Sequence, residues 1–328
     1  MSAASAESIR PQSYLEDMNA VDAVTEALPG QSVQRVNPVQ RGNHKQTHLV
    51  TLEDREVVVQ LSARPAAFRT ELALARAVRE RTPVPMPAIL AEGRYEAGRY
   101  AVVERAPGDD LHERFAGLPL ATRETVARSF GRWLAACHET FRFDGYGDVT
   151  LVDGELRASD ADWRAWFDDH LTEGLAALPS SLAELREPVE TTLADADLPE
   201  RPPARLYPWD FRPGNAVYDD DAGVTAVLDW GEPLAADPAL SVAKADHLIC
   251  AWYGDAKPLQ AAFRDGYAAE RPLPSVPRVY RLAAVVRSAV DSNGEVTRPG
   301  YPERTGTAAV EFHRDRLTAL LAGAADGF

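Results

Sequence analysis

Between residues 33 and 103 the chain alternates short apolar runs with polar turns, a pattern typical of β-structure. The segment "HLVTLEDREVVVQLS" (48–62) has two apolar runs around a polar turn and predicts a hairpin. "PAAFRTELALARAVRERT" (65–82) has helical periodicity and leads into the prolines of "PVPMP". "RYAVVERAPG" (99–108) predicts a further strand that ends at a Pro-Gly break. The order hairpin, helix, strand therefore predicts a small β-rich lobe over residues 32–106, preceded by an N-terminal tail and helix over 1–31.

After residue 108 the pattern changes to helical periodicity, and residues 107–328 are predicted to form a larger helical lobe. The predicted helices cover residues 121–140, 160–178, 180–195, 237–253, 257–269, 276–291 and 306–323. One stretch interrupts them with a strong β signal, "YPWDFRPGNAVYDDDAGVTAVLDWGEP" (207–233). The fold class predicted from these elements is α+β, with a ligand-binding cleft between the two lobes.

The net charge of the chain limits which kinds of binding partner are expected. The sequence has 35 Lys and Arg against 50 Asp and Glu, a formal charge of −15, and its only lysines are Lys45, Lys244 and Lys257. Such a surface repels nucleic acid and anionic lipid, so we expect neither as a partner. Acid enrichment with few lysines also suggests adaptation to high salt. The start of the chain lacks the pattern of a secretion signal, and no long apolar run follows, so a cytoplasmic location is expected.

The stretch 207–233 concentrates the candidate chemistry. "AVY" and "VTAVL" predict a hairpin around "DDDAG", with Ala222 near its midpoint. Asn215 and Asp229 each lie seven residues from Ala222 and are expected to face each other, so that their oxygens can share one Mg²⁺. Asp210 lies in the loop just upstream. In a chain with 50 acidic residues a single Asp means little, and Asp219–Asp221 are expected to be solvated turn residues.

These residues carry a family resemblance. "WDFRPGN…AVLDWGEPLAADPA" resembles the catalytic motif of the aminoglycoside phosphotransferase and choline kinase superfamily, a protein-kinase-like family. The resemblance extends over residues 32–322 through "FRTELALARAV", "PVPMPAIL", "YAVVERAPGDDL" and "LAACHETFRFDGYG". It implies a two-lobe fold, with a small five-stranded antiparallel β lobe and a larger helical lobe. It also implies transfer of the γ-phosphate of ATP or GTP, with Mg²⁺, to a hydroxyl group of a small molecule.

The resemblance assigns a role to particular residues. Asp210 would be the catalytic base, and Asn215 and Asp229 would bind Mg²⁺. The nucleotide would be held by Gly42, Asn43, Lys45, Gln60 and Glu71 at its phosphates and by the backbone around Glu104 to Ala106 at its base. Asp237 is either the N-cap of a helix or a support for the catalytic loop. His138 is interpreted as a capping or core residue, and Trp163 and Trp166 as core residues in preference to the lining of a substrate pocket.

The sequence departs from the family pattern at two places. Pro208 and Trp209 replace the family's His and Gly before the catalytic Asp, and we expect them to brace the loop instead. Gln60 stands where a strand Lys or Arg would meet the phosphates and pair with Glu71, which lowers the expected affinity or turnover. Lys45, in the loop "RGNHKQTH" (41–48), is a candidate for a displaced lysine; the alternative is a solvated loop residue.

These departures leave other functions open. One alternative is a catalytically silent nucleotide-binding protein that regulates a partner, and a weaker one is a Mg²⁺-dependent phosphohydrolase. The acceptor is not identified by the sequence, although the acidic chain mildly favours a cationic one. The two cysteines, Cys137 and Cys250, lie in apolar surroundings and are predicted to be buried thiols.

Overall fold

The computed structural model describes residues 19–39, 45–95, 98–298 and 304–323. Its α-helices are α1 (Ala20–Ala27), α2 (Pro65–Arg81), α3 (Leu111–Arg114), α4 (Leu120–Thr140), α5 (Trp163–Ala177), α6 (Arg186–Ala194), α7 (Pro238–Asp246), α8 (Ala256–Glu270), α9 (Arg278–Val286) and α10 (Thr307–Leu321). Its strands are β1 (Arg35–Val39), β2 (Gln46–Thr51), β3 (Glu56–Ser62), β4 (Ile89–Tyr95), β5 (Gly98–Glu104), β6 (Asp109–Asp110), β7 (Arg142–Phe143), β8 (Tyr146–Val152), β9 (Glu155–Asp160), β10 (Ala204–Tyr207), β11 (Ala216–Asp219), β12 (Gly223–Val227), β13 (Leu234–Ala236), β14 (Thr297–Arg298) and β15 (Arg304–Thr305).

The chain forms two compact units. The first contains the chain up to Leu72 together with Pro87–Ala106, and the second contains Ala73–Met86 together with the chain from Pro107 onward. This confirms the predicted α+β, protein-kinase-like class, with a small antiparallel β lobe and a larger helical lobe. The functional division at 31/32 and 106/107 stays a prediction.

The first unit is built on one antiparallel sheet with the strand order β1-β2-β3-β5-β4. Side chains alternate between its faces. Val57, Val59 and Leu61 of β3 are buried in one hydrophobic cluster with Ala23 and Val24 of α1. The opposite face carries Ala101, which is buried with Phe68 and Leu72 at the start of α2. The five strands and helix predicted for this region are confirmed, and the sheet has a helix on each face.

The second unit holds most of the helices around two hydrophobic clusters. One cluster contains buried residues of α5, α6, α9 and α10. The other contains those of α4, α8 and the β11–β12 hairpin. The helices α4 and α8 pack closely because each has a glycine at the contact. A Cβ at Gly131 would lie 2.0 Å from the carbonyl oxygen of Phe263, and one at Gly266 would lie 2.0 Å from that of Arg128.

The second unit also contains a sheet that the sequence pattern did not predict, with the strand order β7-β10-β13-β8-β9. The expectation that residues 207–233 hold the one strong β region of this half was therefore wrong. The strands β7, β10 and β13 have only two, four and three residues, which is too short to show alternation. β9 is mostly exposed and polar, so its alternation of apolar and polar side chains is weak.

Several smaller features agree with the sequence. The helix predicted from residue 237 is α7, which continues as a π-helical turn over His247–Ala251. Cys137 and Cys250 are buried and not joined in a disulfide. None of the described helices is both long enough and apolar enough to cross a membrane.

Candidate active site

The loop that carries Asp210 leaves the middle of the second sheet. β10 lies between β7 and β13 and ends at Tyr207, three residues before Asp210. The loop then closes in a 3-10 turn over Pro213–Asn215, where the Asn215 N–H donates to the Arg212 carbonyl at 3.0 Å. A Cβ at Gly214 would lie 2.9 Å from Nη1 of Arg212, so glycine leaves room for the Arg212 side chain in this turn.

Two neighbours of the loop fix the carboxylate of Asp210. Arg212 donates from Nε to Oδ1 at 2.8 Å, and Asn215 donates from Nδ2 to Oδ2 at 2.9 Å. Asn215 Nδ2 also donates to the Asp210 carbonyl at 2.9 Å. The Asp210 side chain is 33% exposed, so the carboxylate is held in one orientation and is still accessible. A carboxylate in this state can accept a proton from a bound hydroxyl group.

Trp209, next to Asp210, is braced by other aromatic side chains. Its ring lies edge-on to His170, with the centroids 5.8 Å apart, and is tilted against Tyr207 at 6.1 Å. Pro208 is buried. The two residues that replace the family's His and Gly are therefore packed into the large unit, which agrees with the expected bracing role.

The predicted hairpin forms as β11 and β12, but its register differs from the prediction by one residue. A β-bulge between Val217 and Tyr218 shifts the pairing, so that Ala216 pairs with Val227. The Leu228 N–H donates to the Asn215 carbonyl at 2.7 Å. Asn215 therefore lies opposite Leu228 and not opposite Asp229, which is the next residue. The turn is centred on Asp221 and not on Ala222, which by itself would place Asn215 opposite Val227; the bulge adds one residue on the β12 side and moves the partner of Asn215 to Leu228.

Aromatic packing brings the two candidate carboxylates to the same part of the unit. Phe211 follows Asp210 and Trp230 follows Asp229; both rings are buried, with their centroids 6.0 Å apart. Trp230 also donates from Nε1 to the Val227 carbonyl at 3.1 Å. Asp229 itself is exposed and has φ +60, a backbone conformation that is uncommon outside glycine. Strained backbone of this kind is often found at functional sites.

The donor set fits a hard cation. Asn215 uses its Nδ2 for Asp210, and its Oδ1 accepts no hydrogen bond from the described residues. That amide oxygen and the Asp229 carboxylate are oxygen ligands of the kind that Mg²⁺ prefers. The described residues contain no group of three or more His, Cys, Asp or Glu side chains suited to a metal ion. The assignment of Asn215 and Asp229 as Mg²⁺ ligands stays a prediction.

In the first unit, Lys45 makes the ion pair that Gln60 cannot make. Nζ of Lys45 lies 2.5 Å from Oε1 of Glu71 on α2, and the two side chains are only 17% and 13% exposed. Gln60 pairs with Thr47 across β2 and β3, two residues beyond Lys45. Lys45 and Gln60 are therefore on the same side of the sheet, the side that α2 covers. The solvated-loop alternative for Lys45 does not describe this contact.

The remaining nucleotide-binding candidates of the first unit are only partly described. Gly42 and Asn43 lie outside the described residues. Glu104 is tied to Ala88 twice: its N–H donates to the Ala88 carbonyl at 2.9 Å and its Oε2 accepts from the Ala88 N–H at 3.0 Å. Ala106 accepts a hydrogen bond from the Arg105 guanidinium. The predicted contact between this backbone and a nucleobase stays a prediction.

Asp237 is the N-cap of α7, which was one of the two predicted roles. Its Oδ1 accepts from the Ala239 N–H at 2.9 Å and its Oδ2 accepts from the Tyr280 hydroxyl at 3.0 Å. Burial raises the pKa of this carboxyl above its usual value. His138 is a core residue, as predicted, with Nδ1 2.8 Å from the Tyr267 hydroxyl and Nε2 3.1 Å from the Ser241 hydroxyl.

The residue that the sequence reasoning missed is Lys244. It lies on α7, is 3% exposed, and places its Nζ 3.0 Å from the centroid of the Trp209 ring. Burial lowers the pKa of Lys244 well below its usual value, and the charge of Asp210 opposes that shift. A signal for it was present: Lys244 is one of only three lysines and stands in the apolar run "PALSVAKADHLIC" (238–250).

Comparison with known proteins places this geometry in a known class. A thermostable variant of the aminoglycoside phosphotransferase APH(4)-Ia, solved with AMP-PNP and hygromycin B, is similar with a TM-score of 0.65 and 18% identity, covering 94% of this chain and 100% of that one. A putative aminoglycoside phosphotransferase from Ralstonia eutropha gives 0.62 and 15%, covering 92% and 96%. A putative fructosamine-3-kinase from Haemophilus somnus gives 0.58 and 14%, covering 92% of this chain and 96% of that one. At these identities the likeness concerns the fold.

The fold defines the class as protein-kinase-like. The sequence profile of the phosphotransferase enzyme family matches residues 35–281, which is most of the chain. The chain belongs to this phosphotransferase enzyme family. The search among curated proteins gave no significant match.

Proposed function

We propose that this protein transfers the γ-phosphate of ATP or GTP to a hydroxyl group of a small molecule, with Mg²⁺. The observation that carries the proposal is the carboxylate of Asp210, held at both oxygens by Arg212 and Asn215 and still one-third exposed. Nucleotide use is supported by the related structure solved with AMP-PNP.

The residues divide the work as follows. Asp210 orients the acceptor hydroxyl and accepts its proton as the oxygen attacks phosphorus. Arg212 and Asn215 keep the carboxylate in one rotamer, so little reorganisation is needed during the reaction. Asn215 and Asp229 would hold Mg²⁺, which neutralises charge on the nucleotide phosphates when bound. In the first unit Lys45 and Gln60 would contact phosphate, and Glu71 would hold the Lys45 ammonium group through their ion pair.

The main alternative is a nucleotide-binding protein without catalysis, which Gln60 suggested. The Lys45–Glu71 ion pair suits nucleotide binding in either case, because it restores the charge that Gln60 lacks at the position of a phosphate-binding lysine. The fixed and accessible carboxylate of Asp210 favours the enzyme, because a silent protein would have no need of it.

The test is ATP or GTP consumption in the presence of a broad set of hydroxylated metabolites. The wild type should show acceptor-dependent turnover, and Asp210→Asn should lower kcat at least about a hundredfold while leaving the affinity for Mg·ATP within about threefold. Asp221→Asn, the same change at an exposed turn residue, is the matched control. Mg·ATP binding without any acceptor-dependent turnover would support the silent alternative, and acceptor-independent release of phosphate would support the phosphohydrolase.

A further inference from the structure

Two basic side chains contact the ring of Trp209, the residue that precedes Asp210 in the sequence. Nζ of Lys244 lies 3.0 Å from the centroid of the Trp209 ring, and Cζ of Arg287 lies 5.1 Å from it. His170 and Tyr207 complete the group, with ring centroids 5.8 and 6.1 Å from that of Trp209. We call these five residues the Trp209 cluster.

The cluster has two basic side chains, and none of the described carboxylates is in contact with Lys244. Lys244 is 3% exposed, and its one hydrogen bond with the described residues goes to the Arg287 carbonyl at 3.4 Å. No described carboxylate lies within 4.0 Å of its Nζ. Among the described residues Arg287 pairs only with Glu173, at 3.7 Å, and the Glu173 side chain is 72% exposed. Burial lowers the pKa of Lys244 well below its usual value, and an anion bound beside its Nζ would stabilise the charged form, so this arrangement suits an anion from outside the chain.

Two further polar atoms of the cluster lack a partner. Nε2 of His170 and the hydroxyl of Tyr207 are both buried and form no hydrogen bond with the described part of the chain. Buried polar atoms are nearly always hydrogen-bonded, and an exception is often explained by a missing ligand. Both atoms lie beside Trp209, as Lys244 and Arg287 do. The basic side chains that lack a close counter-ion and the polar atoms that lack a partner therefore belong to the same cluster.

The place of the Trp209 cluster beside Asp210 indicates which of the two substrates, acceptor or nucleotide, the cluster would contact. The candidate Mg²⁺ ligands follow Asp210 in the chain and belong to the hairpin side, where the nucleotide phosphates would lie. In phosphoryl transfer the attacking and leaving oxygens lie roughly in line, on opposite sides of phosphorus. We place the acceptor at Trp209 and Lys244, because Trp209 is the neighbour of Asp210 outside the segment 215–229 that carries the candidate Mg²⁺ ligands. Nζ of Lys244 lies 3.0 Å from the centroid of the Trp209 ring.

We propose that the acceptor carries an anionic group, a carboxylate or a phosphate, which binds Lys244 and Arg287 beside Trp209. This rests on the proposed function, which supplies the reaction. The acceptor hydroxyl oxygen forms a bond to the γ-phosphorus, the bond from that phosphorus to the β–γ bridging oxygen breaks, and the hydroxyl proton passes to Asp210. The products are the phosphorylated acceptor and ADP or GDP. A cationic acceptor, which the acidic composition mildly favoured, would be repelled by Lys244, Arg287 and Arg212.

The test uses compounds that differ in charge on one carbon skeleton. One series is glycerol, glycerate, glycerol 3-phosphate and 3-amino-1,2-propanediol; a second is glucose, gluconate, glucose 6-phosphate and glucosamine. Wider sets of hydroxy acids, phosphorylated polyols, neutral polyols and amino alcohols follow, all at matched ionic strength. Nucleotide consumption should be accelerated by carboxylates or phosphates, and the series separate the two. If every anionic compound fails, or neutral or cationic ones act better, the proposal is overturned.

Variants test the residues. Lys244→Met keeps the length of the side chain and its contact with Trp209, and should raise KM for the best anionic acceptor about tenfold or more with a smaller change in kcat. Arg287→Met should act in the same direction, and the Arg287 side chain, at 22% exposed, is less buried than that of Lys244. Lys257→Met, the same change on the surface of α8, is the matched control. Wild-type KM in both Lys244→Met and Arg287→Met would overturn the proposal.

Direct binding keeps this proposal separate from the proposed function. Glycerate, gluconate and the two phosphorylated compounds are titrated calorimetrically into nucleotide-free protein, and Mg·ATP is titrated in a separate experiment. Anion binding that is lost in Lys244→Met supports the Trp209 cluster as an anion site even if Mg·ATP does not bind, in which case the proposed function alone fails. Mg·ATP binding without binding or turnover of any anionic compound overturns the cluster proposal and leaves the proposed function standing.

Discussion

Lys45 forms with Glu71 the ion pair that the family resemblance assigns to a lysine or arginine at the position of Gln60. The carboxylate of Glu71 lies 2.5 Å from Nζ of Lys45, which precedes β2, while Gln60 occupies the neighbouring strand on the same face. A lysine has a long, flexible side chain, so a shift of one strand still lets the ammonium reach α2. We therefore expect the charge of Lys45 to do for nucleotide phosphates what a β3 lysine would do.

The first prediction concerns that ammonium group. Lys45→Ala should weaken Mg·ATP binding about tenfold to a hundredfold, because a charge-assisted hydrogen bond to phosphate contributes about 1.5–3 kcal/mol. Gln60→Lys in the Lys45→Ala background should restore part of the affinity through a new pair with Glu71. Affinities are measured by calorimetric titration at one ionic strength, since salt screens exposed charges.

Lys257→Ala is the matched control for this experiment, because Lys257 is exposed on α8. Lys244→Ala is not a suitable control, since Lys244 is buried beside Trp209. Wild-type affinity and turnover in Lys45→Ala would show that the displaced-lysine interpretation is wrong.

The second prediction concerns the metal ligands. Asp229→Ala should abolish the Mg²⁺ dependence of nucleotide binding, because it removes the charged ligand of the candidate site. Asn215→Ala should reduce Mg·ATP affinity less, but it should also lower kcat, because the Asp210 carboxylate loses its hydrogen bond from Asn215 Nδ2. Both are checked by titrating nucleotide at several Mg²⁺ concentrations, with Asp220→Ala in the exposed turn as control. An unchanged Mg²⁺ dependence in Asp229→Ala would contradict the assignment.

At the scale of elements, the sequence predicts what has a strong pattern and misses what depends on distant partners. The long amphipathic helices, the hairpin over 48–62 and the strand over 99–108 have clear periodicity, whereas the five-stranded lobe was implied by the family resemblance. β10 and β13 are only four and three residues long and are stabilised by each other, so no local pattern reveals them. The β-bulge in the β11–β12 hairpin changed the register for a similar reason, because bulges are set by packing as well as by local sequence.

The residues of the candidate site were predicted or missed for the same reason. Asp210, Asn215 and Asp229 were found because they have fixed spacing within one segment. Lys244 was missed because it lies 35 residues after Trp209 in the chain. The two residues come into contact only when α7 packs beside the loop after β10. The ion pair of Lys45 with Glu71 was anticipated only as a displaced charge near phosphate, and its contact with α2 required the three-dimensional structure.

The third prediction tests the contact between α4 and α8. Gly266→Ala should lower the free energy of unfolding by about 1–3 kcal/mol, because the new Cβ would lie 2.0 Å from the Arg128 carbonyl and force the helices apart. The overlap outweighs the gain of up to about 1 kcal/mol in helix propensity. Gly131→Ala should behave alike, since its Cβ would meet the Phe263 carbonyl at 2.0 Å.

Chemical denaturation at constant temperature measures these changes. Gly117→Ala is the control, because a Cβ there has no neighbouring atom within 4 Å, and it should stay within about 0.5 kcal/mol of the parent. If the two helix variants are as stable as Gly117→Ala, the close approach of α4 and α8 is not what stabilises this part of the fold.

At the scale of the whole molecule, an acidic surface encloses an interior with several neutral histidines. The sequence carries a formal charge of −15. Burial lowers the pKa of His138, His170 and His247 well below the usual 6.5 and that of His313 to about 4. Folding therefore keeps these four side chains unprotonated at a pH where the unfolded chain would bind protons. The interior makes the protein sensitive to acid independently of its surface charge.

The last prediction follows from the sign of these shifts. Below pH 6.5 the unfolded chain binds more protons at the four histidines than the folded protein does, so the free energy of unfolding falls as the pH falls. Each histidine contributes a limiting slope of about 1.4 kcal/mol per pH unit, and for His313 the loss extends from pH 6.5 down to about 4.

Asp246 acts in the opposite direction, because burial raises its pKa from 3.8 to about 6 and the folded protein therefore binds that proton first. Asp237, whose pKa burial also raises, acts in the same direction as Asp246. Four histidines outweigh these two carboxyls, so urea denaturation should show a net loss of stability between pH 6.5 and 5. His313→Gln should make the decline shallower and Asp246→Asn should make it steeper, which separates the two contributions. A stability that stays constant or rises over this range would show that the buried histidines take up protons in the folded state.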